Sequence, residues 1–353
     1  MNPKTILFVS PCSFTSIRQR HQAFAELFSK NGFETYFLDP MRTFGFSIFK
    51  KKINEINVLT PHVPFRASEW PGLQTIASKI IMKLLQRSEL FTNDILWVAD
   101  PVFSASVSES WKKIIYDRCD LHGYFPNQNK SAWRIHEKKI VARADHIIAS
   151  SPPIKDDLEK MGAESGKISI VPNAADSDWI EREIPDVKPL VPLHVISAGA
   201  HFEWTDFAWL KMFAENSKIV LHIAGPGRGK EFYELIKHPR VKYHGIVDHG
   251  SLKKIFDSCH AGVIPFINIE LTRAVDPIKA YEYKSRGLYV WVPPVPELIS
   301  HSMTDSCIDS KLCLNETIEK LFESSTGSLK KKTPPSWEER FQTIIELLKD
   351  SKS

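Results

Sequence analysis

The sequence of 353 residues lacks the features that mark several large classes of protein. Its five cysteines are scattered without a CxxC pair, and their odd number argues against a disulfide framework, so we expect a reducing compartment. No window approaches the roughly 18 apolar residues of a membrane span. The net charge of +4 is too small to indicate nucleic acid, so we expect no nucleic-acid partner. The histidines are dispersed, and we predict no obligatory metal.

Glycine motifs for binding phosphate are also missing. The stretch GPGRG at residues 225–229 does not have the spacing of a P-loop, and no GxGxxG opens a helix, which excludes the dinucleotide fingerprint. The first apolar run, TILFVS at residues 5–10, spans about six residues and is typical of a strand, not of a signal peptide. We therefore expect a cytoplasmic protein.

What the sequence does contain is a regular alternation of short apolar runs and helical patterns. Continuous apolar strands separated by helices predict a parallel sheet covered on both faces, and therefore an α/β fold. The pattern restarts after a proline-bearing stretch at 182–193, which is typical of an interdomain linker. We predict two domains, 1–185 and 190–330, with an amphipathic helix in 336–353. The predicted strands are 5–10, 34–38, 94–99, 113–117, 146–150, 168–171, 194–199, 219–225, 241–245, 261–266 and 289–293.

The stretch VDPIKAYEYKSRG at 275–287 predicts a helix with Asp276 as its N-cap and Pro277 as its first residue. Lys279 and Glu282 are three residues apart, so both project from one face near the helix N-terminus, where an anion is favoured. We expect Lys279 to neutralise a diphosphate and Glu282 to accept hydrogen bonds from ribose hydroxyls. Spacing alone leaves open an exposed helix with two solvated charges.

Several segments resemble the bacterial glycosyltransferases of the GT-B fold. The stretch from 264 to 292 is similar to their nucleotide-sugar segment, in which Asp-Pro-x-Lys-x-x-Glu-Tyr follows an apolar strand and a loop. Four further segments resemble the family in the same order along the chain, which makes the resemblance strong. They are IIYDRCDLHGYF (114–125), ADHIIASSPPIKDDL (144–158), ISIVPNAAD (168–176) and SWEERFQTIIELL (336–348).

The resemblance implies two Rossmann-like domains facing across a cleft, the first binding the acceptor and the second the nucleotide sugar, with the C-terminal helix returning to the first. Lys279 would then contact the donor diphosphate and Glu282 the ribose, with Asp276 and Pro277 in the same motif. The remaining donor-side candidates are Thr272 and Arg273 in the preceding loop, Gly199 after the first strand of the second domain, and Arg228 in the 225–229 loop. For that glycine loop a tight turn between strand and helix is the alternative.

Two departures from the family leave the stereochemical outcome open. Large retaining families carry two glutamates eight residues apart, but the position eight before Glu282 is Ala274. They also often have basic residues where this chain has HFEWTDF (201–207). Either Arg228 or Arg273 would have to supply that charge, so both retaining and inverting chemistry stay open.

The candidates for catalysis lie in YDRCDLHGY at 116–124. An inverting mechanism needs a carboxylate or an imidazole to take the proton of the acceptor hydroxyl. We favour Asp120 for this role, then His122, and we interpret Asp117 as a strand-end residue that caps backbone. After the first strand, Ser13, Arg18, Arg20 and His21 are candidates for the acceptor side, with a solvated first helical turn as the alternative.

One helical stretch bears on the acceptor. Residues 73–90 place Leu73, Ile76, Ala77, Ile80, Ile81, Leu84 and Leu85 on one face, with Lys79, Lys83 and Arg87 elsewhere, and FGFSIFKKKI (44–53) precedes them. This pattern fits an interfacial helix on anionic lipid, where polyprenyl-linked acceptors reside. The ordinary interpretation of the same pattern is a core-facing helix with a solvated basic side.

We therefore expect a glycosyltransferase that moves a hexosyl or glucuronosyl group from a nucleotide diphosphate donor, in most such families UDP, to a hydroxyl of a glycan or polyprenyl-linked glycan. Surface polysaccharide synthesis and attachment to the cytoplasmic face of the membrane belong to this expectation. Two alternatives remain, a nucleotide-sugar epimerase of similar shape and a non-catalytic partner subunit that binds nucleotide.

Overall fold

The computed structural model confirms the predicted α/β class. It describes residues 4–64, 71–87, 92–108, 110–126, 128–180, 191–323 and 332–349. The chain divides into two compact units, the first comprising Met1–Pro172 with Glu338–Ser353 and the second comprising Asn173–Trp337. Most of the predicted linker at 182–193 lies outside the described residues. Within the ranges given, no helix is long and apolar enough to cross a bilayer.

The first unit is built on a sheet that is parallel except at one edge. Its strands are β1 (Thr5–Val9), β2 (Glu34–Leu38), β3 (Arg42–Thr43), β4 (Ser47–Ile53), β5 (Ile56–Val63), β6 (Ile95–Val98), β7 (Lys113–Arg118), β8 (His146–Ala149) and β9 (Ile168–Ile170). The helices between them are α1 (Arg20–Lys30), α2 (Pro71–Arg87), α3 (Lys130–Val141) and α4 (Pro152–Lys160), with a short 3-10 helix at Pro101–Ser106. The strand order is β3-β5-β2-β1-β6-β7-β8-β9, and β4 pairs antiparallel with β5.

Every residue of β1 is buried, as its continuous apolar run predicts. Aromatic rings fill the core around it: Phe8 stacks on Trp97 with ring centroids 5.2 Å apart, and Phe28 lies edge-on to both rings. Phe341 closes this cluster, 4.9 Å from Phe28.

The second unit has a six-stranded sheet that is parallel throughout. Its strands are β10 (Leu193–Ala198), β11 (Ile219–Ala224), β12 (Val241–Tyr243), β13 (Ala261–Val263), β14 (Tyr289–Val292) and β15 (Ser306–Cys307). Its helices are α5 (Phe207–Glu215), α6 (Lys230–Leu235), α7 (His249–Asp257), α8 (Ile278–Ser285), α9 (Pro296–Ser300) and α10 (Lys311–Glu323). The strand order β12-β11-β10-β13-β14-β15 reverses at β10 and β13, and open α/β sheets bind ligands beyond the carboxyl ends of the strands at such a reversal.

The last helix, α11 (Trp337–Lys349), follows the second unit in sequence but belongs largely to the first. Besides the Phe341 contact, the Lys113 ammonium donates a 3.0 Å hydrogen bond to the Leu348 carbonyl near the end of α11. The resemblance implied this return.

The helix α2 turns its apolar side to the core. Ala77, Ile81 and Leu85 are at most 1% exposed, whereas Ile76 is half exposed. The core-facing interpretation therefore accounts for most of the apolar face.

The segment 44–53 is not part of α2 or a continuation of it. Its residues from Ser47 onward form β4, the outer strand of a hairpin with β5, and the sequence analysis did not predict either strand.

Candidate functional site

The helix α8 carries the two charged residues that the sequence singles out. It begins at Ile278 with Pro277 as its N-cap, one residue later than predicted, so the prediction of Asp276 as the N-cap is wrong. Lys279 and Glu282 form an ion pair near the start of the helix. Their side chains are 19% and 6% exposed, respectively. The prediction that they share one face is confirmed, and the alternative of two solvated charges is wrong. An ammonium has three donors, so Lys279 can bind a further anion while it holds Glu282.

Asp276 is occupied by protein groups. Its carboxylate accepts hydrogen bonds from the Tyr281 hydroxyl at 2.9 Å and from the Asn173 backbone amide, and it lies 2.8 Å from His301 Nε2. The Asn173 side chain in turn donates to the Asp276 carbonyl at 2.6 Å. These contacts fix the backbone that enters α8. A contact of Asp276 or Pro277 with the donor stays a prediction.

Tyr283 fixes the other side of this turn. Its phenol accepts a 2.9 Å hydrogen bond from the Ala198 amide at the end of β10 and donates a 3.4 Å bond to the Val263 carbonyl at the end of β13. The ring lies so close to the sheet that a Cβ on Gly262 would be 2.3 Å from it. Through Tyr283, α8 is therefore tied to the carboxyl ends of the two strands where the order reverses.

The sequence analysis quoted Tyr283 and Asn173 within motifs but gave neither residue a role. Their positions in the segments 275–287 and 168–176 were the available signal.

Two glycines meet beyond these strand ends. Gly199 and Gly225 have φ values of +133° and +115°, which residues other than glycine rarely adopt. A Cβ on Gly225 would lie 2.1 Å from the Gly199 carbonyl oxygen. The backbone here is thus packed as closely as glycine permits, and the amide of Gly199 donates to the Ala224 carbonyl at 2.9 Å.

The loop after Gly199 is bound to the 225–229 loop through His201. The His201 amide donates to the Pro226 carbonyl at 2.8 Å, and its Nε2 lies 2.8 Å from the Ser197 hydroxyl. Burial lowers the pKa of His201 to about 4, so the ring is neutral at physiological pH. His201 therefore does not supply the positive charge that basic residues often provide at this place in the family.

Arg228 supplies an exposed positive charge on the neighbouring loop. Its guanidinium pairs with Glu203 at 2.6 Å and lies 4.6 Å from the centroid of the Phe202 ring. Both charged side chains are about half exposed. The pair joins the 201–207 segment to the glycine loop and leaves Arg228 accessible to an anion.

Thr272 and Arg273 occupy the loop before α8. The buried Thr272 hydroxyl donates to the Ile269 carbonyl at 3.0 Å and accepts from the Ile269 amide at 3.1 Å, which shapes the loop. Arg273 is exposed, and its Nε donates to the Asn268 side chain at 2.7 Å. Of these two residues, Arg273 has the side chain that can reach a ligand.

In the first unit, Asp120 lies just beyond the carboxyl end of β7. Burial raises the pKa of its carboxyl to about 6, while the neighbouring Cys119 thiol donates to it over 3.6 Å. Burial also raises the pKa of Cys119 well above its ordinary value, so the thiol stays protonated. A carboxylate that titrates near neutral pH is suited to general base catalysis.

Arg20 and His21 are buried next to the Asp117–Cys119 segment that precedes Asp120. Arg20 pairs with Asp117 at 3.0 Å and donates to the Val171 carbonyl at 3.1 Å. The Nδ1 of His21 is 3.5 Å from Asp117 and its Nε2 is 3.7 Å from the Cys119 sulfur. The alternative of a solvated helical turn is wrong for these two residues, because each is at most 2% exposed.

Asp117 does not cap backbone as predicted. Both of its carboxylate oxygens bind side chains, those of Arg20 and of Trp97, whose Nε1 lies 3.2 Å away. The Arg20 charge holds the pKa of this carboxyl below its usual value against the effect of burial. Asp117 is therefore ionised and internally paired.

His122, Ser13 and Arg18 have other surroundings. His122 stacks on Trp133 with ring centroids 5.5 Å apart, and burial lowers its pKa to about 3. So weak a base favours Asp120 over His122 for taking a proton. Ser13 donates to Asp39 at 2.9 Å, and Arg18 pairs with Glu26 at 2.9 Å. Within the described ranges, no group of three or more His, Cys, Asp or Glu residues is arranged to hold a metal ion.

Comparison with known proteins bears on the family. Residues 23–179 match the model of the family described as Glycosyltransferase Family 4. A curated relative is the putative teichuronic acid biosynthesis glycosyltransferase TuaH of Bacillus subtilis strain 168, which is 23% identical over 223 residues, or 54% of this chain and 53% of the relative. The chain therefore spans about half the length of this curated relative.

Two solved structures match over nearly the whole chain. Sucrose-phosphate synthase from Thermosynechococcus elongatus has a TM-score of 0.71 at 12% identity, covering 98% of both chains. Anabaena HepE in complex with UDP has a TM-score of 0.67 at 14% identity, covering 98% of this chain and 100% of the other. The chain has the GT-B fold, and the predicted resemblance to bacterial GT-B glycosyltransferases is confirmed.

Proposed function

We propose that the protein is a glycosyltransferase that moves a sugar from a nucleotide diphosphate donor to a hydroxyl of a glycan or lipid-linked glycan. The observation that carries this proposal is the Lys279–Glu282 pair near the start of α8, the helix that Tyr283 ties to the carboxyl ends of β10 and β13. A diphosphate needs a cation and backbone amides, and a ribose needs a carboxylate. One helical turn offers all three.

The second unit takes the donor in this proposal. Lys279 binds the diphosphate and Glu282 accepts from the ribose hydroxyls, while Gly199 lets backbone approach the phosphates. The exposed guanidiniums of Arg228 and Arg273 serve the phosphates or the sugar. The complex of HepE with UDP favours UDP as the nucleotide.

The first unit takes the acceptor, and Asp120 removes the proton from its hydroxyl as the anomeric carbon is attacked. The half-buried carboxyl of Asp120, with its pKa near 6, supports this assignment. His21 positions Asp120 through the Cys119 thiol, since it lies between that sulfur and the ionised Asp117. The description of the Bacillus relative, a putative teichuronic acid biosynthesis glycosyltransferase, favours a role in polysaccharide synthesis. In this proposal the group transferred is hexosyl or glucuronosyl, and transfer takes place on the cytoplasmic face of the membrane.

Calorimetry with UDP tests the donor site. Removing one partner of the largely buried pair leaves the other charge uncompensated, so Lys279→Ala alone also destabilises the fold. The double variant Lys279→Met/Glu282→Gln keeps the volumes and removes both charges. We expect each variant to lose about 10- to 100-fold in UDP affinity, the loss of one or two charge-assisted hydrogen bonds. The matched control is Lys230→Met/Glu234→Gln, an exposed pair on α6.

A donor affinity unchanged in the double variant would overturn the assignment of the site. Turnover separates the remaining alternatives: isomerised sugar from UDP-sugar alone identifies an epimerase, and UDP binding without transfer to any acceptor identifies a non-catalytic subunit.

A further inference from the structure

An exposed hairpin at the edge of the first sheet combines aromatic and basic side chains. We name the following residues the aromatic-basic hairpin: Arg42, Phe44, Phe46, Phe49, Lys50, Lys51 and Lys52. The strand β4 runs antiparallel to β5, with Ser47 opposite His62 and Ile53 opposite Ile56. The two residues of the turn, Asn54 and Glu55, have φ values of +45° and +66°, which is the geometry of a tight hairpin turn. The strand pair therefore fixes the positions of Phe49 and Lys50–Lys52, whereas Phe44 and Phe46 lie in the bend between β3 and β4.

Three of its phenylalanines are in water. Phe44 is 82% exposed, Phe46 is 60% exposed and Phe49 is 63% exposed, and Phe44 has the most exposed large apolar side chain of the described residues. Single exposed apolar residues are ordinary, but three within six positions form a patch that indicates an interaction surface. Phe44 also has a φ of +66°, a conformation that is strained for phenylalanine. Folding alone gives no reason for a phenylalanine at this position.

The same hairpin is strongly positive. Arg42, Lys50, Lys51 and Lys52 are exposed, and among residues 42–55 they face only one acidic residue, Glu55, which pairs with Lys52. Lysines on an edge strand also prevent pairing with another sheet, so they could serve solubility alone. That role does not explain the phenylalanines beside them, because exposed aromatic residues promote association.

The charge decides which partner fits. A second copy of this chain would bring the same four cations to a two-fold contact, where they would repel. An anionic lipid bilayer offers phosphates to the cations and an apolar interior to the aromatic rings, which is the pairing that interfacial anchors use.

A cavity of about 150 Å³ lies directly beside the hairpin. Its polar lining residues are Arg42, Thr43, Gln74 and Asp100. The cavity lies beyond the carboxyl ends of β2 and β6, and Arg42 is two residues before Phe44. A head group held by these polar side chains would have its lipid next to the phenylalanines.

We propose that the aromatic-basic hairpin docks the protein on an anionic bilayer, with Phe44 and Phe46 in the interface and Arg42 and Lys50–Lys52 on lipid phosphates. This deepens the proposed function and rests on it for the acceptor, since it selects the lipid-linked class. It also moves the membrane contact predicted for residues 73–90 from α2 to the hairpin.

Sedimentation with phosphatidylcholine vesicles, with and without phosphatidylglycerol, tests the proposal on the full chain. We expect binding to the anionic vesicles only, weakened by salt. Phe44→Ser/Phe46→Ser should lower binding by about tenfold. Lys50→Gln/Lys51→Gln/Lys52→Gln should lower it on the order of 100-fold. The control Ile135→Ser/Leu312→Ser removes two exposed apolar side chains elsewhere and should bind as the parent does.

Phe44→Gly separates docking from folding. Glycine adopts the positive φ without strain, so this variant should keep or raise the unfolding temperature while it lowers vesicle binding. Equal binding by the parent and the phenylalanine variants would overturn the proposal, as would concentration-dependent dimerisation through the hairpin, or binding to an RNA oligonucleotide in place of vesicles. UDP affinity, measured on the same variants, should not change. If the parent protein itself did not bind UDP, that result would instead refute the proposed function.

Discussion

The backbone amide of Ala198 donates a 2.9 Å hydrogen bond to the phenol of Tyr283, and this bond joins the end of β10 to the middle of α8. It determines where Lys279 and Glu282 lie relative to Gly199, the residue after Ala198. The geometry of the candidate donor site therefore depends on a tyrosine that is not itself one of the proposed ligand-binding residues.

Tyr283→Phe should destabilise the second unit and weaken UDP binding. The substitution leaves the Ala198 amide without its partner in a partly buried position, a cost of about 1 kcal/mol. Urea unfolding measures the first effect and calorimetry the second. Tyr233→Phe, on the exposed side of α6, is the control and should change the free energy of unfolding by less than about 0.5 kcal/mol. An equal effect of both variants would contradict the positioning role.

Arg20→Met should lower the free energy of unfolding by about 3–5 kcal/mol, because it leaves the buried Asp117 carboxylate unpaired. The comparison variant is Arg18→Met, two residues before Arg20. It breaks a partly exposed pair with Glu26 and should lower the free energy of unfolding by about 1 kcal/mol or less. Urea unfolding of both variants makes the comparison. Arg20→Met with parental stability would show that the Arg20–Asp117 pair does not stabilise the first unit.

Transfer should depend on pH through Asp120. The base must be ionised and its pKa is about 6, so kcat/KM should rise with pH and level off above that value, falling about tenfold per unit below it. Asp120→Asn should lower kcat by about 10²- to 10⁴-fold. Its UDP affinity should remain that of the parent, which separates lost chemistry from lost folding. A residual rate with the parental pH profile would exclude Asp120 as the base.

The second unit should lose stability in mild acid because of a row of histidines. His194 Nδ1 lies 2.8 Å from His222 Nε2, and His222 Nδ1 lies 3.0 Å from His244 Nε2. Burial and the neighbouring histidines lower the pKa of His222 to about 3. Since the unfolded histidine titrates near 6.5, the unfolded state binds the proton first, and stability falls as pH drops from 6.5 towards 3.

The slope from His222 can reach about 1.4 kcal/mol per pH unit. Urea unfolding at pH 7 and pH 5 measures this slope, and His222→Gln should reduce it. His238→Gln, a partly exposed histidine outside the row, is the matched control. A slope unchanged by His222→Gln would mean that other groups carry the acid sensitivity.

Most of the strands that the sequence predicted are buried parallel ones. Their continuous apolar runs, such as residues 5–9 and 219–224, have no other stable place than a sheet covered on both faces. The strands β4 and β5 were not predicted, because β4 is an exposed edge strand with three consecutive lysines and β5 contains Pro61. A strand at the edge of a sheet is partly exposed and has one side without a partner strand. It therefore needs neither a continuous apolar run nor a hydrogen bond from every backbone amide.

Local spacing by itself determined the α/β class and the shared face of Lys279 and Glu282, since helical periodicity is a property of neighbours in sequence. Only the tertiary structure decided the partners of Asp276, Arg20 and Asp117. The sequence assigned Asp276 to a helix cap, but Asn173 and His301 reach it across more than 20 residues of chain. Such pairings depend on which strands lie side by side, and no local pattern records that order.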